Sequence, residues 1–151
     1  MLRAKTILRA LRLLALIAGA ALILLRWSSL PATIPTHFGA GTIDGWGPKW
    51  MLWITWGAAV LCELAFSAVY LIPRDKWNMP VRLTDRNRAA AWRLTDTMIG
   101  LLALESVLTC LYVLACQCFF HPPGAAFVLV IILAPMATLV VCLARFAFLP
   151  R

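Results

Sequence analysis

Charged residues, and acidic ones above all, are scarce in this sequence. Asp and Glu together number 6, and charged residues make up 13% of the 151-residue chain. A typical soluble domain carries about 25% charged residues. By contrast, 63% of the residues are hydrophobic and the mean hydropathy is +0.88. A chain of this length has too little interior to bury so much apolar surface, so the excess must face lipid. The composition excludes a soluble domain and predicts an integral membrane protein.

Sequence motifs of common enzyme classes are also absent. The chain has no zinc-protease helix motif, no phosphate-cradling glycine loop and no serine nucleophile elbow. We therefore predict no enzymatic activity and no cofactor. The net charge of +8 comes from basic residues at the ends of apolar stretches, and no nucleic-acid-binding motif accompanies them. We therefore predict no nucleic-acid partner.

Cysteine offers no disulfide framework. The 5 cysteines all lie in apolar stretches, where Cys acts as a small hydrophobe. Cys116, Cys118 and His121 have a spacing that would suit a metal only if the helix ended there, because residues two apart on a helix point to nearly opposite faces. We predict no metal site. A metal-dependent intramembrane enzyme, built on this cluster or on His37 and Asp44, is kept as an alternative.

Four apolar stretches reach the length of about 20 residues that a helix needs to cross a bilayer. They cover about residues 7–30, 50–72, 94–120 and 124–149, and Pro135 predicts a kink in the last. The chain 1–151 is predicted to be one all-α membrane domain, an integral four-helix bundle. Arg9, Arg12 and Arg26 are expected to snorkel to the interfaces. A cleaved signal peptide is the alternative for the first span, but no small-x-small cleavage site follows it.

The distribution of Lys and Arg predicts the orientation. The N-terminus, the segment 73–93 and the C-terminus carry four, six and two of these residues, including Arg3 and Arg151. The opposite side carries two, Arg26 and Lys49. Basic connections stay in the cytoplasm, so both termini and the loop 73–93 are predicted to be cytoplasmic.

The predicted outer loop, residues 31–49, has an unusual composition for a connection. Two prolines four apart stiffen its start, and four glycines together with Asp44-Gly45 predict tight turns. A simple connection could be shorter and plainer. We predict a structured extracytoplasmic loop that caps the bundle and binds a ligand through His37, Phe38, Asp44 and Trp46. The alternative is that His37 and Asp44 only hydrogen-bond the loop's own backbone.

The predicted cytoplasmic loop, residues 73–93, has helix-start features near its end. Thr84 followed by Asp85 is typical of an N-cap with an acid in the first turn, so the third helix is expected to begin near Asp85. Its basic face should lie on anionic lipid headgroups. Asp96 is expected to pair with Arg93, three residues before it. Four arginines are predicted to contact a cytoplasmic partner: Arg82, Arg86, Arg88 and Arg93.

Two acidic residues fall deep inside the predicted spans. Glu63 lies roughly 15 Å and Glu105 roughly 18 Å from the cytoplasmic edge, at the helical rise per residue. A charge at that depth costs about 2.5–3.5 kcal/mol, so such groups usually face the interior and serve a function. If the two carboxyls were close, they would share a proton or hold a cation. The alternative is that each is neutral and hydrogen-bonded to Ser, Thr or backbone.

Two runs of residues carry a family pattern. The outer loop reads Leu30-Pro31, Ile34-Pro35-x-His37-Phe38, Gly41 and Asp44-x-Trp46-Gly47-x-Lys49. The middle segment reads Asn78-x-Pro80-Val81-x-x-Thr84-x-x-Asn87-Arg88, then Arg93-Leu94. These runs resemble domain-of-unknown-function family sixteen-forty-eight, a small membrane domain also found at the N-terminus of SdpI-type immunity proteins. The resemblance covers roughly the first 115 residues. It implies a bacterial plasma (inner) membrane protein, without implying a reaction.

Three functions are compatible with these patterns. The first is a non-enzymatic immunity, envelope-stress or signalling protein that meets a peptide, lipid or ion outside and a regulatory protein in the cytoplasm. The second is a proton- or ion-coupled transport element that uses Glu63 and Glu105. Four helices are few for a pore, so this alternative needs a homodimer, for which Ala15-x-x-x-Gly19 offers a small-residue contact face. The third is the metal-dependent enzyme described above.

Overall fold

Four long helices form the body of the protein. The computed structural model describes residues 4–39 and 41–150; Arg3, Ala40 and Arg151 lie outside the described residues. Within that part the helices are α1 Ala4–Arg26, α2 Met51–Ala68, α3 Arg88–Phe119 and α4 Ala125–Ala147. A 3-10 turn, Val69–Leu71, extends α2. All four helices are long and apolar enough to cross a membrane, which confirms the prediction of four long apolar helices.

Helix α3 is the central element of the bundle. It packs against α1, α2 and α4, whereas α1 and α2 contact each other less. The start of α1 meets the end of α2 where the Lys5 ammonium lies over the Tyr70 ring. At the same end, Asn87 before α3 donates to the Pro150 carbonyl after α4. We call this end, which contains both termini of the described chain, the basic end. The opposite end carries residues 27–50 and is called the hairpin end.

Large apolar side chains cover the outside of the helices. Leu25, Leu61 and Val140 are 81%, 67% and 63% exposed. A continuous surface of this kind is unfavourable in water but is solvated by lipid tails. The buried residues of the interior include two small hydrophobic clusters. They are Ile23, Leu30, Ile34, Leu52, Leu114 and Cys118 near the hairpin end, and Leu16, Ala59 and Val107 at mid-depth.

Two helix ends differ from their predicted positions. Helix α1 ends at Arg26 instead of continuing to Leu30, and a turn follows in which the Ser29 and Leu30 N–H groups both donate to the Arg26 carbonyl. Pro31 comes directly after this turn and disfavours helical geometry at Leu30. Helix α3 begins at Arg88, three residues after Asp85. The predicted Thr84 cap is wrong, since the Thr84 hydroxyl has no hydrogen-bond partner within the described residues. Helix α4 continues through Pro135 without interruption.

The loop 31–49 contains a β-hairpin, so the prediction of an all-α fold is wrong for this segment. Strand β1, Thr33–Gly39, pairs antiparallel with strand β2, Thr42–Pro48, with a bulge between Pro35 and Phe38. Proline is tolerated in β1 because both strands of a two-stranded sheet are edges. The chain reverses between Gly39 and Thr42, where Gly41 has a φ of 80°. The expected turn at Asp44-Gly45 is therefore wrong, since both residues lie inside β2.

The small-residue face of α1 is buried inside the bundle. A Cβ atom on Gly19 would lie 2.5 Å from Leu111 Cδ2 and 3.1 Å from Trp56 Cδ1. The absence of a side chain lets α1 approach α3 closely, as small residues do in membrane helix pairs. The prediction that Ala15 and Gly19 form a homodimer contact is therefore wrong, although homodimer formation itself stays a prediction.

Candidate functional site

The β-hairpin is firmly attached to the bundle. Ile34 of β1 is completely buried in the cluster that includes Ile23 and Leu114. The Lys49 N–H donates to the Ala32 carbonyl over 2.9 Å, and the Lys49 ammonium donates to the Trp27 carbonyl over 3.2 Å. The burial of Ile34 and the Lys49–Trp27 hydrogen bond attach the hairpin to α1 and α3, and the Lys49–Ala32 hydrogen bond joins the two ends of the loop.

His37 and Asp44 form a solvent-exposed pair on this fixed hairpin. Their side chains are 73% and 46% exposed, and His37 Nδ1 lies 2.6 Å from Asp44 Oδ1. Gly45 stands opposite His37, and a Cβ atom there would lie 2.7 Å from His37 Cβ. Within the described residues neither side chain hydrogen-bonds the loop backbone. The structure therefore differs from the alternative in which His37 and Asp44 only hydrogen-bond the loop's own backbone. The pair leaves His37 Nε2 and a carboxylate oxygen for a ligand.

Phe38 and Trp46 occupy different places from this pair. Phe38 and His37 line a groove of about 630 Å³ between the hairpin and the start of α4, with Phe127 on its far side. The Trp46 ring instead lies 6.0 Å from the Phe120 ring, centroid to centroid. The structure therefore brings His37 together with Asp44 and with Phe38, whereas Trp46 connects the hairpin to the end of α3.

Arg12 forms a buried ion pair, contrary to the prediction that it snorkels to the interface. Only 5% of Arg12 and 6% of Glu63 is exposed. Arg12 Nε lies 2.5 Å from Glu63 Oε2, and Arg12 Nη1 donates to the Gly100 carbonyl over 3.3 Å. The Ser67 hydroxyl also donates to Glu63. Pairing offsets the cost of burying both charges, and the contacts join α1, α2 and α3.

Glu105 has separate partners. Its Oε1 accepts a hydrogen bond from the Thr138 hydroxyl of α4 over 2.6 Å. Its Oε2 is buried and has no partner among the described residues. Glu105 also lines a groove of about 700 Å³ between α3 and α4, whose walls include Tyr112 and Phe127. Within the described chain no hydrogen bond joins the Glu63 and Glu105 carboxyls, and the two have no hydrogen-bond partner in common.

Asn87 organises the basic end and was not among the candidate residues. It is 2% exposed, and its Oδ1 accepts from the Thr84 N–H. Its Nδ2 donates to the Arg82 carbonyl over 3.0 Å and to the Pro150 carbonyl over 2.9 Å. A single side chain therefore ties the linker before α3 to the end of α4. The sequence signal was its place in the family-like run.

The four predicted contact arginines do not form one patch. Arg82 lines a cavity of about 600 Å³ beside Phe146, and Arg93 lines a different cavity of about 690 Å³ beside Trp92. Arg86 is exposed, and Arg88 lies 3.7 Å from Asp85. Asp96 pairs with Arg74 over 3.3 Å, so its predicted pairing with Arg93 is wrong. Arg74 comes from a separate 3-10 turn, Arg74–Lys76, in the linker after α2, and sequence spacing alone could not place it beside Asp96.

The Cys and His residues near the end of α3 are not gathered, within the described residues, into a group of three that could hold a metal. Cys116 and Cys118 are buried inside the helix, which ends at Phe119. The His121 N–H donates back to the Cys116 carbonyl over 3.1 Å, and this hydrogen bond closes the last turn of α3. No group of three or more His, Cys, Asp or Glu side chains that could hold a metal occurs within residues 4–39 and 41–150.

Comparison with known proteins gives one match. No curated protein and no solved structure matches the chain. A family model matches residues 14–60, which run from the middle of α1 through the hairpin to the middle of α2. The match is shorter than the resemblance expected from the sequence, and it contains the buried hairpin contacts and His37–Asp44. Over residues 14–60 the chain matches the family described as Domain of unknown function (DUF1648).

Proposed function

We propose that this chain is a non-enzymatic receptor of the bacterial plasma membrane, in an immunity or envelope-sensing system like that of SdpI-type proteins. In this proposal the hairpin end is extracytoplasmic and the basic end is cytoplasmic. One observation carries it: the hairpin holds an exposed His37–Asp44 pair on a rigid, buried base at Ile34. A connection between two helices requires neither feature.

The chemistry of the hairpin suits an extracellular peptide. Each strand of the two-stranded sheet has one edge without a strand partner, and in this proposal an added strand pairs with such an edge. The His37–Asp44 pair offers polar groups beside that edge, and the half-buried Phe38 offers an apolar surface in the adjacent groove. A strand-like peptide would use backbone hydrogen bonds for affinity and these side chains for selectivity.

Helix α3 provides a physical connection between the two ends. At the hairpin end, Phe120 follows α3 and packs near Trp46 of β2. At the basic end, Asn87 precedes α3 and holds the linker that carries the arginines. Because the hairpin is attached to α3, a ligand that binds more tightly to one arrangement of the two would raise the population of that arrangement. The linker, which is attached to the start of α3, would then move with it. A cytoplasmic regulatory protein that contacts Arg82 and Arg86 would respond to that shift.

A survival assay tests the receptor proposal. A deletion strain carrying wild-type, His37→Ala, Asp44→Asn or His121→Ala protein is challenged with a panel of envelope-active peptides. His121→Ala is the matched control, because it removes the other histidine, also at the hairpin end. We expect wild type and His121→Ala to protect, and both hairpin variants to lose protection. Equal survival of the deletion strain and wild type across the panel would contradict the immunity role.

A further inference from the structure

The basic end contains a cleft between the start of α1 and the start of α3. Its volume is about 690 Å³, and its lining includes Lys5, Arg74, Trp92, Arg93 and Asp96. Three of these five side chains are cationic and one is acidic. The cleft thus lies where α1 and α3 begin their apolar spans.

Aromatic rings hold two of these cations in place. Tyr70, Trp77 and Trp92 form a chain of ring contacts, with centroid separations of 6.1 Å and 5.7 Å. The Lys5 ammonium lies 3.6 Å from the Tyr70 ring centroid, and the Arg74 guanidinium lies 4.7 Å from the Trp92 centroid. Because cation–π contacts restrict these long side chains, less conformational entropy is lost when an anion binds.

The charges around the cleft are not balanced by protein carboxylates. Asp96 pairs with Arg74 over 3.3 Å. Lys5 and Arg93 form no ion pair within the described residues, and Arg93 is exposed. A neighbouring cavity of about 530 Å³ shares Lys5 and adds Arg9. The cleft therefore has an excess of positive charge suited to an anion.

We propose that this cleft binds the phosphate of an anionic phospholipid headgroup through Lys5 and Arg93, with Arg74 completing the cationic wall. Tryptophan and tyrosine are enriched at membrane interfaces, which is where the aromatic chain lies if the four helices cross the bilayer. Basic pockets between membrane helices on the cytoplasmic side bind phosphate headgroups in this way. A soluble phosphate monoester presents the same chemistry, but it lacks tails to lie along the exposed apolar helices.

Native mass spectrometry of the full chain in a neutral detergent tests this site. Three probes are titrated: phosphatidylglycerol, phosphatidylcholine with the same tails, and glycerol 3-phosphate. The test variant is Lys5→Gln/Arg93→Gln. The control variant, Lys76→Gln/Arg145→Gln, removes one lysine and one arginine from exposed positions outside the cleft. We expect wild type to prefer phosphatidylglycerol about tenfold or more over phosphatidylcholine, and the test variant alone to lose that preference.

The other outcomes are equally decisive. Equal losses in both variants would overturn the site, because they would show general charge attraction. If glycerol 3-phosphate binds as tightly as phosphatidylglycerol, the cleft binds phosphate but its ligand is a soluble molecule, and the lipid assignment is wrong. Lys5→Arg/Arg93→Lys retains both charges and serves as the folding check. If it binds no better than the Gln variant while remaining folded, the site assignment is wrong. None of these results depends on peptide binding by the hairpin.

Discussion

At the residue scale, the buried Arg12–Glu63 pair makes a sharp prediction about stability. Removing one partner leaves the other charge buried without compensation, which typically costs about 3–5 kcal/mol. We therefore expect Glu63→Ala to lower the free energy of unfolding by about that amount. The double variant Arg12→Met/Glu63→Met should be more stable than either single variant, because it removes both charges. Equilibrium unfolding of the detergent-purified protein measures the difference.

Glu105→Gln is the matched control for this pair. Its amide oxygen can still accept the Thr138 hydroxyl, so the loss should be about 1 kcal/mol or less. Equal decreases in the free energy of unfolding for the Glu63 and Glu105 variants would contradict the prediction that the Arg12–Glu63 ion pair makes the larger contribution to stability. Helical rise predicts that both carboxyls lie deep in the spans, but it does not predict their hydrogen-bond partners. Which side of α1 turns inward depends on packing against α3, and that fixes Arg12 as the partner of Glu63.

Phe120 supplies a second prediction at this scale, because it is the only non-glycine residue with positive φ in the described chain. Its φ is 56°, a left-handed conformation that costs a side-chain-bearing residue about 1–2 kcal/mol. Phe120→Ala and Phe120→Gly both lose the ring near Trp46. We expect the glycine variant to be more stable than the alanine variant by about 1 kcal/mol.

Tyr112, inside the last third of α3, provides the opposite case. There the alanine variant should be more stable than the glycine variant by about 1 kcal/mol, the usual helical order. Thermal unfolding of the four variants gives the comparison. The same order at both positions would show that the left-handed conformation of Phe120 is not retained in solution.

At the element scale, the close contact of α1 with α3 predicts unequal effects of one substitution at two glycines. Gly19→Ala would place a methyl group 2.5 Å from Leu111 Cδ2, and overpacking of this kind costs about 1–3 kcal/mol. A Cβ atom at Gly57 of α2 meets nothing within 4 Å, so Gly57→Ala should leave stability unchanged or raise it. Unfolding measurements that found equal effects would contradict the packing of α1.

The elements differ in how far the sequence could predict them. Helical spans follow from continuous apolar length, a local property, so all four were predicted within a few residues of their apolar limits. The hairpin was predicted only as a structured loop. Its first strand contains Pro35 and a bulge, which break the alternation that marks a strand, and its reversal at Gly41 competes with the more typical Asp44-Gly45 signal. The segment forms a strand because it pairs with β2 and because Ile34 is buried against the helices.

At the scale of the whole molecule, contacts between distant segments determine which basic side chains lie close together, and local sequence patterns do not predict this. Two of the predicted contact arginines, Arg82 and Arg93, line separate cavities, and Asn87 holds the linker between them against the end of α4. Lys5 and Arg74 enter a common cleft although about 70 residues separate them in sequence. Hydropathy predicts that these groups lie near an interface, whereas only tertiary packing places them together.

The orientation of the molecule is the remaining prediction at this scale. Lys and Arg are concentrated at the basic end, which should therefore face the cytoplasm. The native cysteines lie in the helices and are replaced by alanine to give a background without thiols. Thr42→Cys then places one thiol at the exposed turn of the hairpin, and Arg86→Cys places one on the exposed linker. An impermeant maleimide should label Thr42→Cys in intact cells and Arg86→Cys only after permeabilisation. The reverse pattern would put the hairpin in the cytoplasm, where an extracellular peptide could not reach His37.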